Sequence, residues 1–295
     1  MKLKFKPISS VILSARMEKA LYKGIDFGKF AGDSGITFQL EEKGKNINMI
    51  YPFYSYEDRG LKSSLPFSHV KEYYIPASSL KGALLGELSD KKESADRSKV
   101  LFSDIRIEGD RIKLRNLYKF QYLYQEKKEQ ALNENKGNNE QVIEFKTPKF
   151  STFFPAIAIE MLDNHNEFEV EILQRESEEF VKGKLNQSFE KTREKLRNYM
   201  LEAEIRKNKI SSWIKSGNLK ETEKDDYMPK LEKIIFNLQM QLSSKKNMIF
   251  LGGYKGILAS LSKGVKEDSK KEIQNGFYID ENTLLPYGLV EVILQ

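Results

Sequence analysis

Two short stretches of this chain pair a lysine with glycines. Residues 73–88 read YYIPASSLKGALLGEL, and residues 251–258 read LGGYKGIL. A helix N-terminus has free amide donors and the positive end of the macrodipole, so its first turn suits an anion better than a lysine. A cation placed there fits if both the amides and the ammonium face the same phosphate. The residues that carry this reading are Ser78, Ser79, Lys81 and Gly82. In the second stretch Gly252, Gly253 and Gly256 permit positive φ and a close backbone approach, with Tyr254 and Lys255 between them. Neither stretch has the spacing of a P-loop or a dinucleotide fingerprint. Each also has a purely architectural reading: a capped helix with Gly82 and Gly86 packed closely on a sheet, and a turn. The aromatics Tyr73, Tyr74, Tyr254, Phe153 and Phe154 suit base stacking or a core.

Three residues have side chains suited to acid–base or metal-assisted chemistry. His69, in FSHVKEYYIP, is the candidate for metal-independent acid–base chemistry. Asp26 and Asp33 lie in the glycine-rich stretch KGIDFGKFAGDSG, where a carboxylate with a bound metal would activate an attacking group. Glycine-flanked aspartates are equally ordinary turn residues, and a lone histidine beside a strand is most often structural. The adjacent Glu41 and Glu42 read as one face of a hairpin.

The elements that would position these groups read as follows. Lys2–Phe5 and Ile8–Leu13 are strand-like, interrupted at Pro7. Residues 14–35 form a long connection. Ile36–Leu40 and Asn46–Tyr51 flank EEKGK as a hairpin. Ser78–Leu88 is a helix whose apolar face is Leu80, Leu84, Leu85 and Leu88. Val100–Leu114 gives two short strands around Gly109-Asp110. The polar run 125–141 reads as a mobile loop or lid. FKTPKFSTFFPAIAIEML (145–162) and then FEVEIL (168–173) are strand-like again. Residues 176–209 and 227–243 are helical, the second with Leu231, Ile234, Ile235, Leu238 and Leu242 on one face. LLPYGLVEVIL closes the chain as a strand. Strands at both ends with helices between them predict an α+β sheet domain.

Composition sets the outer bounds. The 295 residues carry a formal net charge of +6 with pI about 9.0, which suits a polyanionic partner. Cysteine is absent and only two histidines occur, His69 and His165. Disulfide frameworks, thiolate metal sites and zinc sites built on several histidines are thereby excluded. The N-terminal MKLKFKPISSVIL has charges among its apolar residues, unlike a signal peptide, and no run approaches the roughly 18 apolar residues of a membrane span.

Four segments, in order, resemble one family. IPASSLKGALLGEL resembles the IPGSSLKGALR-type signature of the RAMP superfamily, the repeat-associated proteins of CRISPR effector complexes. Asp104, in LFSDIRIEGDRIKLRN, stands where many members have an LFG segment and a strand. LGGYKGIL is similar to their C-terminal glycine-rich loop, and LLPYGLVEVIL to their closing strand. Ala77 stands where the family usually has glycine and Leu85 where it often has arginine, so one cation is missing. The resemblance implies an RRM-like (ferredoxin-like) core, an antiparallel sheet with helices on one face, that holds guide RNA. It divides the chain into a core over 1–175 with a loop insertion at 125–147, a helical region over 176–247, and a segment 248–295 that completes the core. The length and the helical insertion resemble the type III-A (Csm) subunit that caps the 3′ end of the guide and aids its maturation. Implied partners are guide RNA, nearby target RNA and other RAMP subunits, in the cytoplasm, with no membrane, cofactor or metal. Two alternatives stay open: a RAMP endoribonuclease or backbone subunit that cuts target or precursor RNA, and a ferredoxin-like protein-interaction module.

Overall fold

A computed structural model describes residues 1–14, 16–30, 38–39, 46–57, 62–85, 99–121, 125–129, 141–145, 149–174, 177–217, 227–256 and 277–295. The elements that build the framework are, in chain order, β1 (Lys2–Pro7), β2 (Glu72–Ile75), α1 (Ala77–Leu85), β3 (Ile105–Glu108), β4 (Ile112–Asn116), β5 (Tyr118–Gln121), β6 (Lys149–Thr152), β7 (Ile157–Leu162), β8 (Phe168–Glu171), α2 (Glu178–Lys215), α3 (Met228–Ser243), β9 (Met248–Phe250) and β10 (Leu289–Leu294). The protein is an α+β structure.

The central sheet runs β8-β1-β10-β9, and every neighbouring pair is antiparallel. Its two middle strands are the first and last of the chain. The alternation in KLKFKP decides which side is buried. Leu3 and Phe5 point inward, facing Val170 and Phe168 on β8 and Leu294 and Val292 on β10. The Phe5 and Phe168 rings stack at 5.0 Å. This face packs on Leu80 and Leu84 of α1 and on Val181, Leu185 and Phe189 from the first half of α2. The opposite face is divided. Beside β1 it is charged: Lys2 pairs with Glu169, and Lys4 and Lys6 both pair with Glu167. Beside β9 it is apolar, where Met248, Phe250 and Leu289 are covered by Leu196, Tyr199 and Ala203 of α2 and Leu231, Ile234 and Leu238 of α3.

Helix α2 is long because its ends are well defined. Ser177 accepts a hydrogen bond from the Phe180 amide, Glu178 and Glu179 occupy the first turn, and Lys215 the last. Its buried side chains are spread over 38 residues, so it serves two cores in succession. A proline opens α3, where its missing N–H costs nothing.

A second structural unit is an antiparallel ribbon. β4 pairs with β7, β5 with β6, and Gln125–Glu129 with Gln141–Phe145. The pairs from Tyr118–Thr152 to Gln121–Lys149 and from Gln125–Phe145 to Glu129–Gln141 keep one register. The expected loop or lid at 125–141 is corrected by this pairing. The polar run supplies strand at both ends, and 130–140 lies outside the described residues. The register breaks once. Asn116 faces Ala158 and Tyr118 faces Thr152, so residues 153–157 stand opposite Leu117 alone and form a large bulge.

Two further expectations are corrected. Phe38–Gln39 pairs parallel with β4 and Met49–Tyr51 parallel with β7, so these strands lie on opposite sides of the ribbon instead of forming a hairpin. Ile8–Leu13 is not a strand. Val11 alone bridges to Leu162, while the Ser9 hydroxyl donates to the Pro286 carbonyl and the Ser10 amide to Asp280 Oδ2. Those buried serines tie the start of the chain to its last turn. The connection over 14–35 contains a short 3-10 turn, Arg16–Lys19, and the strands Leu21–Tyr22 and Phe27–Phe30.

Candidate nucleic-acid interface

The first Lys/Gly stretch forms a strand-to-helix junction. Tyr73 and Ile75 anchor β2 in the core, and β2 pairs antiparallel with β3. Pro76 then starts α1, and its carbonyl accepts from the Ser79 and Leu80 amides. The first helical amide, of Ala77, donates to Asp104 Oδ1 at 2.7 Å. The Tyr56 hydroxyl donates to the other oxygen of the same carboxylate, which pushes the Tyr56 pKa up to about 12. Tyr56 also stacks on Tyr74, with centroids 3.8 Å apart and planes 8° from parallel. The helix end is therefore already capped by a carboxylate. The phosphate reading shifts from the end amides to the outer face of the helix.

That face is open. Ser78 and Gly82 are exposed, and Ser79 and Lys81 half-buried. A Cβ on Gly82 would meet nothing within 4 Å. The expected close packing of Gly82 against a sheet is thereby corrected: Leu80 and Leu84 make the inward contacts. Gly86 lies outside the described residues.

The second stretch runs on from β9, which packs beside α1. Gly252 has φ of 90°, and a Cβ there would run into the Ile12 carbonyl, which itself accepts the Gly253 amide at 2.8 Å. The Lys255 ammonium donates to the Phe250 carbonyl at 3.0 Å. Gly252, Gly253 and Lys255 thus brace the loop against its own core, and the expected phosphate cradle of amides is largely committed internally. Gly256 has φ of 73° and lies beside Tyr278 and the Tyr199 hydroxyl. Tyr254, with a positive φ of 54° that is uncommon for a side chain of its size, packs edge-on to Tyr278 at 5.9 Å.

Tyr254 leads to a cluster that the loop and the ribbon bulge build together. Phe153 lies 5.4 Å from Tyr278 and 4.0 Å from Phe154, centroid to centroid. The Lys119 ammonium sits 4.2 Å from the Phe153 centroid and 5.4 Å from that of Tyr278. Burial lowers its pKa. Phe154 is 42% exposed. Of the five aromatics singled out in the sequence, Tyr73 belongs to the core, Tyr74 to the Tyr56 stack, and Tyr254, Phe153 and Phe154 to this cluster. Lys119 was not singled out. Its signal was alternation in LYKFQ, which places it opposite the buried Phe120.

The cleavage candidates occupy other environments. His69 Nδ1 lies 2.7 Å from Glu160 Oε1, and the Tyr73 hydroxyl donates to that oxygen at 2.6 Å. Glu160 Oε2 accepts the Phe53 amide. Glu160 is fully buried, and His69 Nε2 is enclosed without a hydrogen-bond partner. The arrangement joins β7 to the segment before β2 and sets His69 Nδ1 against a buried carboxylate. A glutamate inside the apolar run IAIEML was the sequence signal for a buried partner. Asp26 Oδ2 accepts the Tyr22 amide at 2.7 Å and closes a turn. Asp33, Glu41 and Glu42 lie outside the described residues. Among the described residues no group of three or more acidic or histidine side chains is placed to hold a metal ion, and no helix is long and apolar enough to cross a membrane.

No protein-family model matches the chain, and no curated protein matches it. Function is therefore argued from the residues.

Proposed function

We propose that this chain is a guide-RNA-binding structural subunit of a type III-A CRISPR interference complex, with an RRM-like RAMP core, seated as a cap at the 3′ end of the guide. The observation that carries the reading is the open face of α1. Glycine inside a helix is unfavourable by about 1 kcal/mol relative to alanine. At Gly82 no internal packing explains it, since a Cβ would meet open space. An exposed helix face of serine, lysine and glycine lets another backbone approach closely. In a chain of net charge +6 the fitting partner is a polyphosphate.

The fold supports the same reading. Four antiparallel strands carry α1 and the start of α2 on one face, the layering expected of the core. The open part of the other face carries lysines paired with glutamates, not the aromatics that stack bases in an RRM. RNA held by this chain is thus gripped along its backbone. Such contacts fix position without reading sequence, as a carrier of many different guides requires. Coverage of β9 and β10 by α2 and α3 leaves the two faces of the sheet unequal, which suits an end position better than a repeating one.

The test is fluorescence anisotropy with single-stranded RNAs of unrelated sequence over a range of salt. Lys81→Ala is expected to weaken all of them alike and to reduce the log–log salt slope by about one unit. Sequence-selective loss, or no affinity at low salt, would overturn the proposal.

A further inference from the structure

We propose that the ribbon bulge at 153–157 is a stacking site for one unpaired nucleobase of single-stranded RNA, the base lying on Phe154 and the neighbouring phosphate on the Lys119 ammonium. The proposal rests on the RNA-binding reading above and names a site that reading does not use.

The bulge is built to present Phe154. Residues 153–157 stand opposite Leu117 alone, and the Phe153 amide still donates to the Leu117 carbonyl at 2.7 Å. The Ile157 amide donates to the Phe154 carbonyl at 3.0 Å and closes the protrusion. Phe153 turns in against Tyr278, while Phe154 turns out, tilted 52° against the Phe153 ring and 42% exposed. An aromatic ring braced from behind and wet in front is a platform for a flat π-surface.

The cation is placed on the same side. Lys119 faces Tyr278 across the strand pair, on the opposite side of β5 from the buried Phe120. Its ammonium lies over two ring faces and is partly withdrawn from water. A cation drawn partly out of water against aromatic rings gains most from an anion brought to it. A nucleobase with its adjoining phosphate supplies both missing groups, a π-face and a negative charge. Tyr254 closes the far side of the cluster. Its positive φ is the outlier in the glycine-rich loop, and Gly256, two residues on, lies against Tyr278. Backbone strain of this kind persists where surrounding contacts fix it, commonly at binding sites.

The experiment uses the full chain and a short oligouridylate carrying iodouridine at successive positions, crosslinked by light and mapped by mass spectrometry, with anisotropy in parallel. One position is expected to crosslink to Phe154. Phe154→Ala should abolish that crosslink and weaken binding on the order of tenfold, while Phe154→Trp retains both. Because Phe154 is exposed, its alanine variant should keep the thermal midpoint of the parent. Lys119→Ala should reduce the salt slope by about one unit. RNA binding that is unchanged in Phe154→Ala, with crosslinks only near Lys81, would overturn the site and leave the RNA-binding reading standing. Absence of RNA binding in the parent chain would overturn both.

Discussion

In strand β7 the fully buried Glu160 accepts hydrogen bonds from the Tyr73 hydroxyl and the Phe53 amide and lies against His69 Nδ1. Removing one member of such a network leaves the others buried and unsatisfied. Glu160→Ala is expected to destabilise the fold by about 1–3 kcal/mol in urea denaturation, the cost of leaving buried polar groups unsatisfied. Asp26→Ala, which loses one turn contact at the surface, should fall within about 1 kcal/mol of the parent. His69 was visible in the sequence as a chemical group. Its role was not, because the carboxylate that defines it comes from 91 residues further along the chain. Gly82 and Gly288 make the contrasting pair of glycines. Gly82→Ala should stabilise the free protein by about 0.5–1 kcal/mol and weaken RNA binding. At Gly288, with φ of 80°, a Cβ would strike the Leu251 carbonyl, so Gly288→Ala should destabilise by about 1–3 kcal/mol. Thermal and urea unfolding measure both.

At the scale of elements, α1 depends on a residue outside it. Asp104 caps the Ala77 amide from the turn before β3, and Asp104→Ala should lower stability by about 0.5–2 kcal/mol, as loss of a helix cap does. Hydrogen exchange should then quicken first in the opening turn of α1. The helices and most strands were legible from periodicity, since α2 has a serine cap, α3 opens on a proline, and both keep apolar spacing. Pairing was less so. Phe38–Gln39 and Met49–Tyr51 satisfy every local signal of a hairpin, yet each finds a parallel partner on the ribbon. The choice between these solutions is made by residues distant in sequence. The run 125–141 looked like a loop because its sequence is almost wholly polar, and its strand ends show only in the main-chain pairing. The bulge at 153–157 left no periodic trace, although FFPA marked a break in alternation.

At the scale of the whole molecule, the excess positive charge is distributed unevenly. On the open sheet face Lys2, Lys4 and Lys6 are matched by Glu167 and Glu169, whose carboxyl pKa values those lysines lower through hydrogen bonds. A depressed carboxylate adds stability above its ordinary pKa and loses it as pH falls through the folded value. Glu167→Gln should therefore differ slightly from the parent in urea midpoint at neutral pH and converge with it in acid. The difference stays small because the pairs are exposed. Cations on this face are occupied, whereas Lys119 lies against aromatic rings and the outer face of α1 is exposed at Ser78 and Gly82. These are the surfaces on which the account places RNA.

The most direct measurement is the salt dependence of RNA affinity for the parent and Lys81→Ala, with single strands of unrelated sequence. The account predicts equal affinities across sequences, falling linearly with the logarithm of salt, and a slope about one unit shallower in the variant. No affinity at low salt, or an unchanged slope in the variant, would contradict it.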